Sequence, residues 1–101
     1  MTRVLFHAIH HPHPEHLDDL LGAMSQISAA APQVAGLEEI GAFVDADGPR
    51  VIAISVWSSA EALQAGMAQL FASLGDVPFD VWERRPRELL TLPEATPPGR
   101  R

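Results

Sequence analysis

All five histidines of this 101-residue chain lie within one ten-residue segment. They are His7, His10, His11, His13 and His16. Imidazole transfers protons near neutral pH and is the commonest transition-metal ligand, so this segment is the first place to look for chemistry. No two of these histidines stand four residues apart on one helix, and Pro12 and Pro14 stiffen the turn that carries them. We therefore expect a solvated turn at the later positions and no metal site.

His7 is the histidine best placed to act as a base. It interrupts an apolar segment, residues 4–9, in which both alternating positions are otherwise apolar. Such a pattern is typical of a β-strand covered on both faces. A histidine on that strand could face a pocket and accept a proton, or it could simply bond a backbone or interface partner. The residues alone leave both interpretations open.

The rest of the chain supplies the elements that must position this strand. Apolar residues at helical spacing predict a first helix from Pro14 to about Ala30. A capping box at residues 58–61 predicts the start of a second helix, which Gly75 and Asp76 close. Alternating and aromatic segments predict the remaining strands. These are Leu37–Asp45, Arg50–Trp57 and a last strand at residues 79–83.

The predicted element order is strand, helix, strand, strand, helix, strand. This is the α+β, ferredoxin-like βαββαβ pattern with a four-stranded antiparallel sheet. We expect one domain over residues 1–92, followed by a flexible tail at residues 93–101, which is rich in proline and polar residues.

Two helices cover only one face of such a sheet. From alternation we expect His7, Glu39, Gly41 and Phe43 on the open face. On the third predicted strand we place Ile52, Ile54 and Val56 against the helices, which puts Val51, Ala53, Ser55 and Trp57 on the open face. The open face would then be apolar, which is typical of an interface. We expect a homodimer whose sheets face each other and enclose a cavity near Gly41, Ala53 and Ser55.

The segment Val-Trp-Ser-Ser-Ala-Glu-Ala-Leu at residues 56–63 joins the third strand to the second helix. With the turn at residues 11–14, it resembles the antibiotic biosynthesis monooxygenase family of the dimeric α/β barrel superfamily. The resemblance covers about residues 3–85, in which Trp57 ends the strand. Family members often carry an asparagine near position 7 or 8, where this chain has His7 and Ala8.

The resemblance implies a cofactor-free monooxygenase that acts on an aromatic or polyketide-like molecule, such as a quinol or an anthrone. His7 would be the catalytic base, Trp57 would stack on the substrate or donate to it, and Ser55 would bond a substrate oxygen. Phe43 and Glu39 complete the expected substrate-binding set, although Glu39 could equally be an edge-strand charge. The alternative is a non-enzymatic, small-ligand-binding or stress-responsive barrel protein. Haem-degrading relatives use a histidine after the second helix, and this chain has none there.

Composition excludes several other classes of protein. The absence of cysteine excludes disulfides and thiolate metal sites. A net charge of -6, with seven arginines and no lysine, gives no basic stripe for nucleic acid. No apolar segment is long enough for a membrane span, so we expect a cytoplasmic protein. The arginines at residues 84–87 could bind an anionic group at the cavity mouth, pair with a partner subunit, or end a strand in solvent.

Overall fold

The computed structural model describes residues 2–45 and 47–96. Its strands are β1 (Val4–His10), β2 (Leu37–Asp45), β3 (Arg50–Trp57) and β4 (Glu88–Pro93). Its α-helices are α1 (Leu17–Ala30), α2 (Ala60–Ala72) and the single-turn α3 (Phe79–Trp82). Short 3-10 turns precede and follow α1 at Pro14–His16 and Ala31–Gln33.

The four strands form one sheet in the order β2-β3-β1-β4, and every neighbouring pair is antiparallel. The helices α1 and α2 bury their apolar stripes against one face of this sheet. The buried cluster between the layers comprises Val4, Ile27, Val34, Trp57, Leu63 and Leu70. The predicted α+β, ferredoxin-like fold is confirmed.

Trp57, at the end of β3, is the largest side chain of this core and has no exposed surface. Gly66 of α2 passes directly over its indole ring, where a side chain would have no room. The helix begins at Ala60, three residues after Trp57. Its N-cap is Ser59, whose Oγ accepts from the Ala62 amide at 3.1 Å, and not the predicted Ser58. The amide of Ser58 instead donates to the Gly36 carbonyl oxygen at 2.8 Å.

The predicted last strand at residues 79–83 is wrong. Pro78 precedes a single helical turn, in which the amides of Val81 and Trp82 donate to the Pro78 carbonyl oxygen at 3.0 and 3.1 Å. The fourth strand lies further along the chain, at Glu88–Pro93. It is an edge strand beside β1, where a terminal proline costs no ladder hydrogen bond.

This strand places part of the predicted tail inside the fold. Pro93 pairs with Val4, and the Glu94 carboxylate accepts from the Arg3 guanidinium. The final five residues of the predicted tail, 97–101, lie outside the described residues.

The predicted faces of β1 and β2 are confirmed, whereas that of β3 is inverted. Trp57 lies opposite Val4 and Ser55 lies opposite Phe6 in the sheet register, so both side chains are on the helix face. Ile54 lies opposite His7 on the open face. Both parities of β3 are apolar, so hydrophobicity alone could not distinguish its two faces. Only the pairing of β3 with β1 shows which side chains of β3 face the helices.

Candidate functional site

A cavity of about 350 Å³ lies between the sheet and the helices. Its walls are mostly apolar and aromatic, and they include Phe6, Met24, Ile27, Leu70, Phe71 and Phe79. A cavity of this size and character is typical of a site for a small organic molecule. The sequence predicted a cavity on the opposite, open face of the sheet; the cavity found here is on the helix face.

Small side chains on the sheet create this space. Ala53 of β3 lies between Ala8 of β1 and Ala42 of β2, and all three line the cavity. A row of alanines on the helix face leaves volume that larger side chains would otherwise fill. Ala53 was predicted to leave room, but for a cavity between two sheets.

The imidazole of His10 is the principal titratable group in the cavity wall. His10 is the last residue of β1, and alternation along the strand places it on the same face as Phe6 and Ala8. Its Nδ1 lies 2.9 Å from Oε2 of Glu83, and their side chains are only 3% and 5% exposed. Since a carboxylate accepts, His10 donates from Nδ1, which leaves Nε2 with a lone pair. The residues described here provide no hydrogen-bond partner for Nε2.

Glu83 is held in place from a second direction. The backbone amide of His11 donates to its Oε1 at 2.6 Å. The ring of Phe79 lies beside His10, with 6.0 Å between the ring centroids. Burial lowers the pKa of His10 below its ordinary value, and the hydrogen bond to Glu83 opposes that shift. Burial therefore favours the neutral form of the His10 imidazole, and a buried carboxylate orients the ring, an arrangement suited to a general base.

Ser55 provides a second polar group in the cavity wall. Its Oγ accepts a hydrogen bond from the Trp57 indole N–H at 2.8 Å, and Ser55 is buried. Accepting from Trp57 leaves the Ser55 hydroxyl proton free to donate. Trp57 itself does not line the cavity. The structure thus places Ser55 where it could bond a ligand, and it places Trp57 behind Ser55.

The other three predicted site residues lie on the open face. His7 and Ile54 are paired across β1 and β3, and Gly41 is paired with Ile54 on the other side. Phe43 is 61% exposed near one edge of this face, and Glu39 is exposed further along β2. The structure therefore separates His7, Phe43 and Glu39 from Ser55 by the thickness of the sheet.

The histidine cluster does not converge on one point. His11 Nε2 lies 2.7 Å from Glu88 Oε2, and this contact lowers the pKa of the Glu88 carboxyl. His16 Nδ1 lies 3.0 Å from Asp19 Oδ2 on α1. Within residues 2–45 and 47–96, no group of three or more histidine, aspartate or glutamate side chains could hold a metal ion.

The sequence did not predict two features of this site. His10 was assigned to a solvated turn, although extending the alternation of β1 by one residue would have placed it beside Ala8. Glu83 was placed in a strand that does not exist. The sequence predicted that the arginines at residues 84–87 could lie at a cavity mouth, and of these Arg87, just before the real fourth strand, lines the cavity. The leucine-rich segment Leu89–Leu92 was the signal for that strand.

No protein-family model and no curated protein matches this chain. Several solved structures do match it. The "putative antibiotic biosynthesis monooxygenase" of Nitrosomonas europaea is 13% identical with a TM-score of 0.82, and the match covers 96% of this chain and 94% of that one. SnoaB, a cofactor-independent oxygenase from Streptomyces nogalater, was solved as a variant. It is 14% identical with a TM-score of 0.73, over 94% of this chain and 95% of that one.

A third similar structure is Rv0793 from Mycobacterium tuberculosis. It is 17% identical with a TM-score of 0.71, and the match covers 97% of each chain. The chain therefore has the same fold as these proteins, which include a "putative antibiotic biosynthesis monooxygenase" and a cofactor-independent oxygenase. Sequence identities this low establish the fold alone. No helix in the described part of the chain has the length and apolar character needed to cross a bilayer.

Proposed function

We propose that the chain binds a small aromatic molecule between its sheet and helices, and that His10 removes a proton from it to start a cofactor-free oxygenation. The observation that carries this proposal is the buried His10–Glu83 pair in the wall of an apolar cavity. The fold of SnoaB, a cofactor-independent oxygenase, supports the reaction type. His10 replaces His7, which lies on the other face of the sheet, as the proposed base.

Proton transfer to His10 Nε2 would create an imidazolium against the Glu83 carboxylate. Burial disfavours that cation, while Glu83 stabilises it across a 2.9 Å hydrogen bond. A base balanced in this way accepts a proton and can return it in a later step. The Glu83 carboxylate also fixes which nitrogen faces the ligand.

The Ser55 hydroxyl would donate to an oxygen atom of the bound molecule. Phe6 lies opposite Ser55 in the register, and His10 is four residues further along β1. Four strand residues span about 13 Å, so the two polar groups lie near opposite ends of the cavity. A planar molecule of two or three fused rings, with an oxygen atom near one end, fits this separation.

The chemistry needs only the substrate and molecular oxygen. A deprotonated quinol or anthrone is electron-rich and can transfer one electron to O2. Recombination forms a carbon–oxygen bond and a hydroperoxide. Loss of a proton from the same carbon breaks the O–O bond, which yields a carbonyl group and one water molecule. The substrate is the reductant and O2 the oxidant, so four electrons are balanced without a cofactor.

The open face of the sheet supports a homodimer in which the sheets pack together. It carries Leu5, Ile9, Ile52 and Val56, together with Phe43, Leu90 and Leu92, which are 61%, 49% and 43% exposed. An apolar surface of this extent favours association in water. In this proposal the dimer interface and the ligand site lie on opposite faces of each sheet.

The function can be tested with anthrone and a naphthohydroquinone as substrates, by following O2 consumption. We expect wild-type protein to consume O2 and His10→Gln to lose about 100-fold or more of the rate, as general-base loss does. His7→Gln is the matched control and should retain full activity. If His10→Gln retained the wild-type rate, the proposal would be wrong. Binding of these molecules without O2 consumption by the wild type would support the ligand-binding alternative.

A further inference from the structure

Arg87 is the only positively charged residue in the cavity wall described here. It lies between this cavity and a neighbouring surface cleft formed largely by residues 79–80 and 83–87, and it lines both. A cation at the mouth of an apolar site selects among ligands by their charge. Whether the N–H groups of Arg87 already have acceptors within the protein therefore indicates whether the cavity binds an anionic ligand.

The guanidinium of Arg87 lies over the Phe79 ring, and its N–H groups have no hydrogen-bond acceptor among the described residues. Its central carbon lies 5.0 Å from the centroid of the Phe79 ring, a cation–π contact. The nearest acidic atom is Oε2 of Glu83, at 3.9 Å from Nε, which is beyond hydrogen-bond distance. Both carboxylate oxygens of Glu83 already have closer donors, in the His10 ring and the His11 amide.

Other arginines of the described chain do have hydrogen-bond acceptors within the protein. Arg3, Arg50 and Arg84 each donate to a carboxylate or carbonyl oxygen at 3.1 Å or less. No acceptor among residues 2–45 and 47–96 lies within hydrogen-bond distance of Arg87. Its side chain is only 35% exposed, so water reaches it from one side. A guanidinium over an aromatic ring with unused N–H groups is suited to binding a carboxylate through two parallel hydrogen bonds.

We infer that the ligand of this cavity is an aromatic acid, whose rings fill the apolar space and whose anionic group binds Arg87. This inference rests on the proposed function only in taking the cavity as the ligand site. It adds the charge of the ligand and a residue that selects for it. The anionic group would lie at the end of the cavity near Phe79 and His10, which share the wall with Arg87.

The test compares two probes of nearly equal shape, 2-naphthoate and the neutral 2-naphthamide. Their affinities for the wild-type protein are measured by calorimetry. We expect naphthoate to bind at least about tenfold more tightly, the ratio that a charge-assisted hydrogen bond supplies. In Arg87→Gln the two affinities should become equal. Arg85→Gln is the matched control, because Arg85 lines the cleft but not the cavity, and it should keep the wild-type preference.

The outcomes distinguish failure of the inference alone from failure of the proposed function. Equal affinity of the wild type for both probes would overturn the inference and leave the aromatic site intact. Failure of both probes to bind would overturn both, since the cavity would then not be a site for an aromatic ring. If Arg85→Gln lost the preference and Arg87→Gln kept it, the anion would bind in the cleft, and the inference would be wrong. The comparison of naphthoate with naphthamide on the wild-type protein tests the inference even if a variant fails to fold.

Discussion

Replacement of Gly66 by alanine tests the packing behind the cavity wall. A Cβ atom at this position would lie 2.5 Å from Cη2 of Trp57 and 2.8 Å from Cγ1 of Val34. Trp57 and Val34 are both buried, at 0% and 5% exposure, so neither has free space to move into. Alanine favours a helix over glycine by about 1 kcal/mol. Forced overpacking costs about 1–3 kcal/mol, and such short contacts point to the upper end of that range.

The expected net effect of Gly66→Ala is therefore a loss of about 2 kcal/mol in the free energy of unfolding. For a domain of this size, that loss corresponds to a decrease in Tm of about 8–16 °C. Thermal and urea unfolding followed by circular dichroism would measure both quantities. Since Trp57 bonds Ser55, the variant should also bind cavity ligands more weakly.

Gly22 provides the matched control within the same chain. It lies in α1, is exposed, and a Cβ there would have no atom within 4 Å. Gly22→Ala should raise the free energy of unfolding by about 0.5–1 kcal/mol through helix propensity alone. The two substitutions are chemically identical, yet their effects on the free energy of unfolding should have opposite signs. If Gly66→Ala also raised Tm, the close packing of α2 on Trp57 would be refuted.

Three further predictions concern the site and the open face. Ser55→Ala should lower the free energy of unfolding, measured in urea, by about 1–3 kcal/mol, because the buried indole N–H of Trp57 then has no acceptor. Unchanged stability would argue against this hydrogen bond. Because burial lowers the pKa of His10, the unfolded chain binds that proton more readily, so Tm should fall as pH decreases from 7.5 to 5.5. His10→Gln should reduce this slope, and equal slopes in the two proteins would contradict the assignment. Phe43→Glu should convert a dimer into monomers in sedimentation velocity, whereas Val81→Glu, equally exposed but outside the sheet, should not; a wild-type monomer would contradict the proposed assembly.

Much of the fold could be predicted from the sequence because its elements have clear local signals. The apolar stripe from Leu17 to Ile27 defined α1, and the two long strands flanking residues 46–49 were also identified. The last strand was missed because aromatic residues at 79–82 resemble a strand. Pro78 and one turn of backbone hydrogen bonds make that segment helical instead. That is a local choice between two conformations, both of which suit these residues.

The site was predicted only in part because it depends on contacts between distant residues. Ser55 lines a cavity, but on the face of the sheet opposite to the predicted one, because the predicted face of β3 was inverted. His10 meets Glu83 only because the chain returns 73 positions later beside the end of β1. No spacing rule connects two such positions. The position of the cavity likewise follows from the alignment of three alanines on three strands, which requires the strand register.

The central claim is that the ligand binds between the sheet and the helices, not on the open sheet face. Intermolecular nuclear Overhauser effects between the ring protons of 2-naphthoate and assigned protein methyl groups test this directly. We expect contacts with methyl groups of Met24, Ile27 and Leu70, which line the cavity. Contacts with Ile9, Ile52 and Leu90, which lie on the open face, would contradict it.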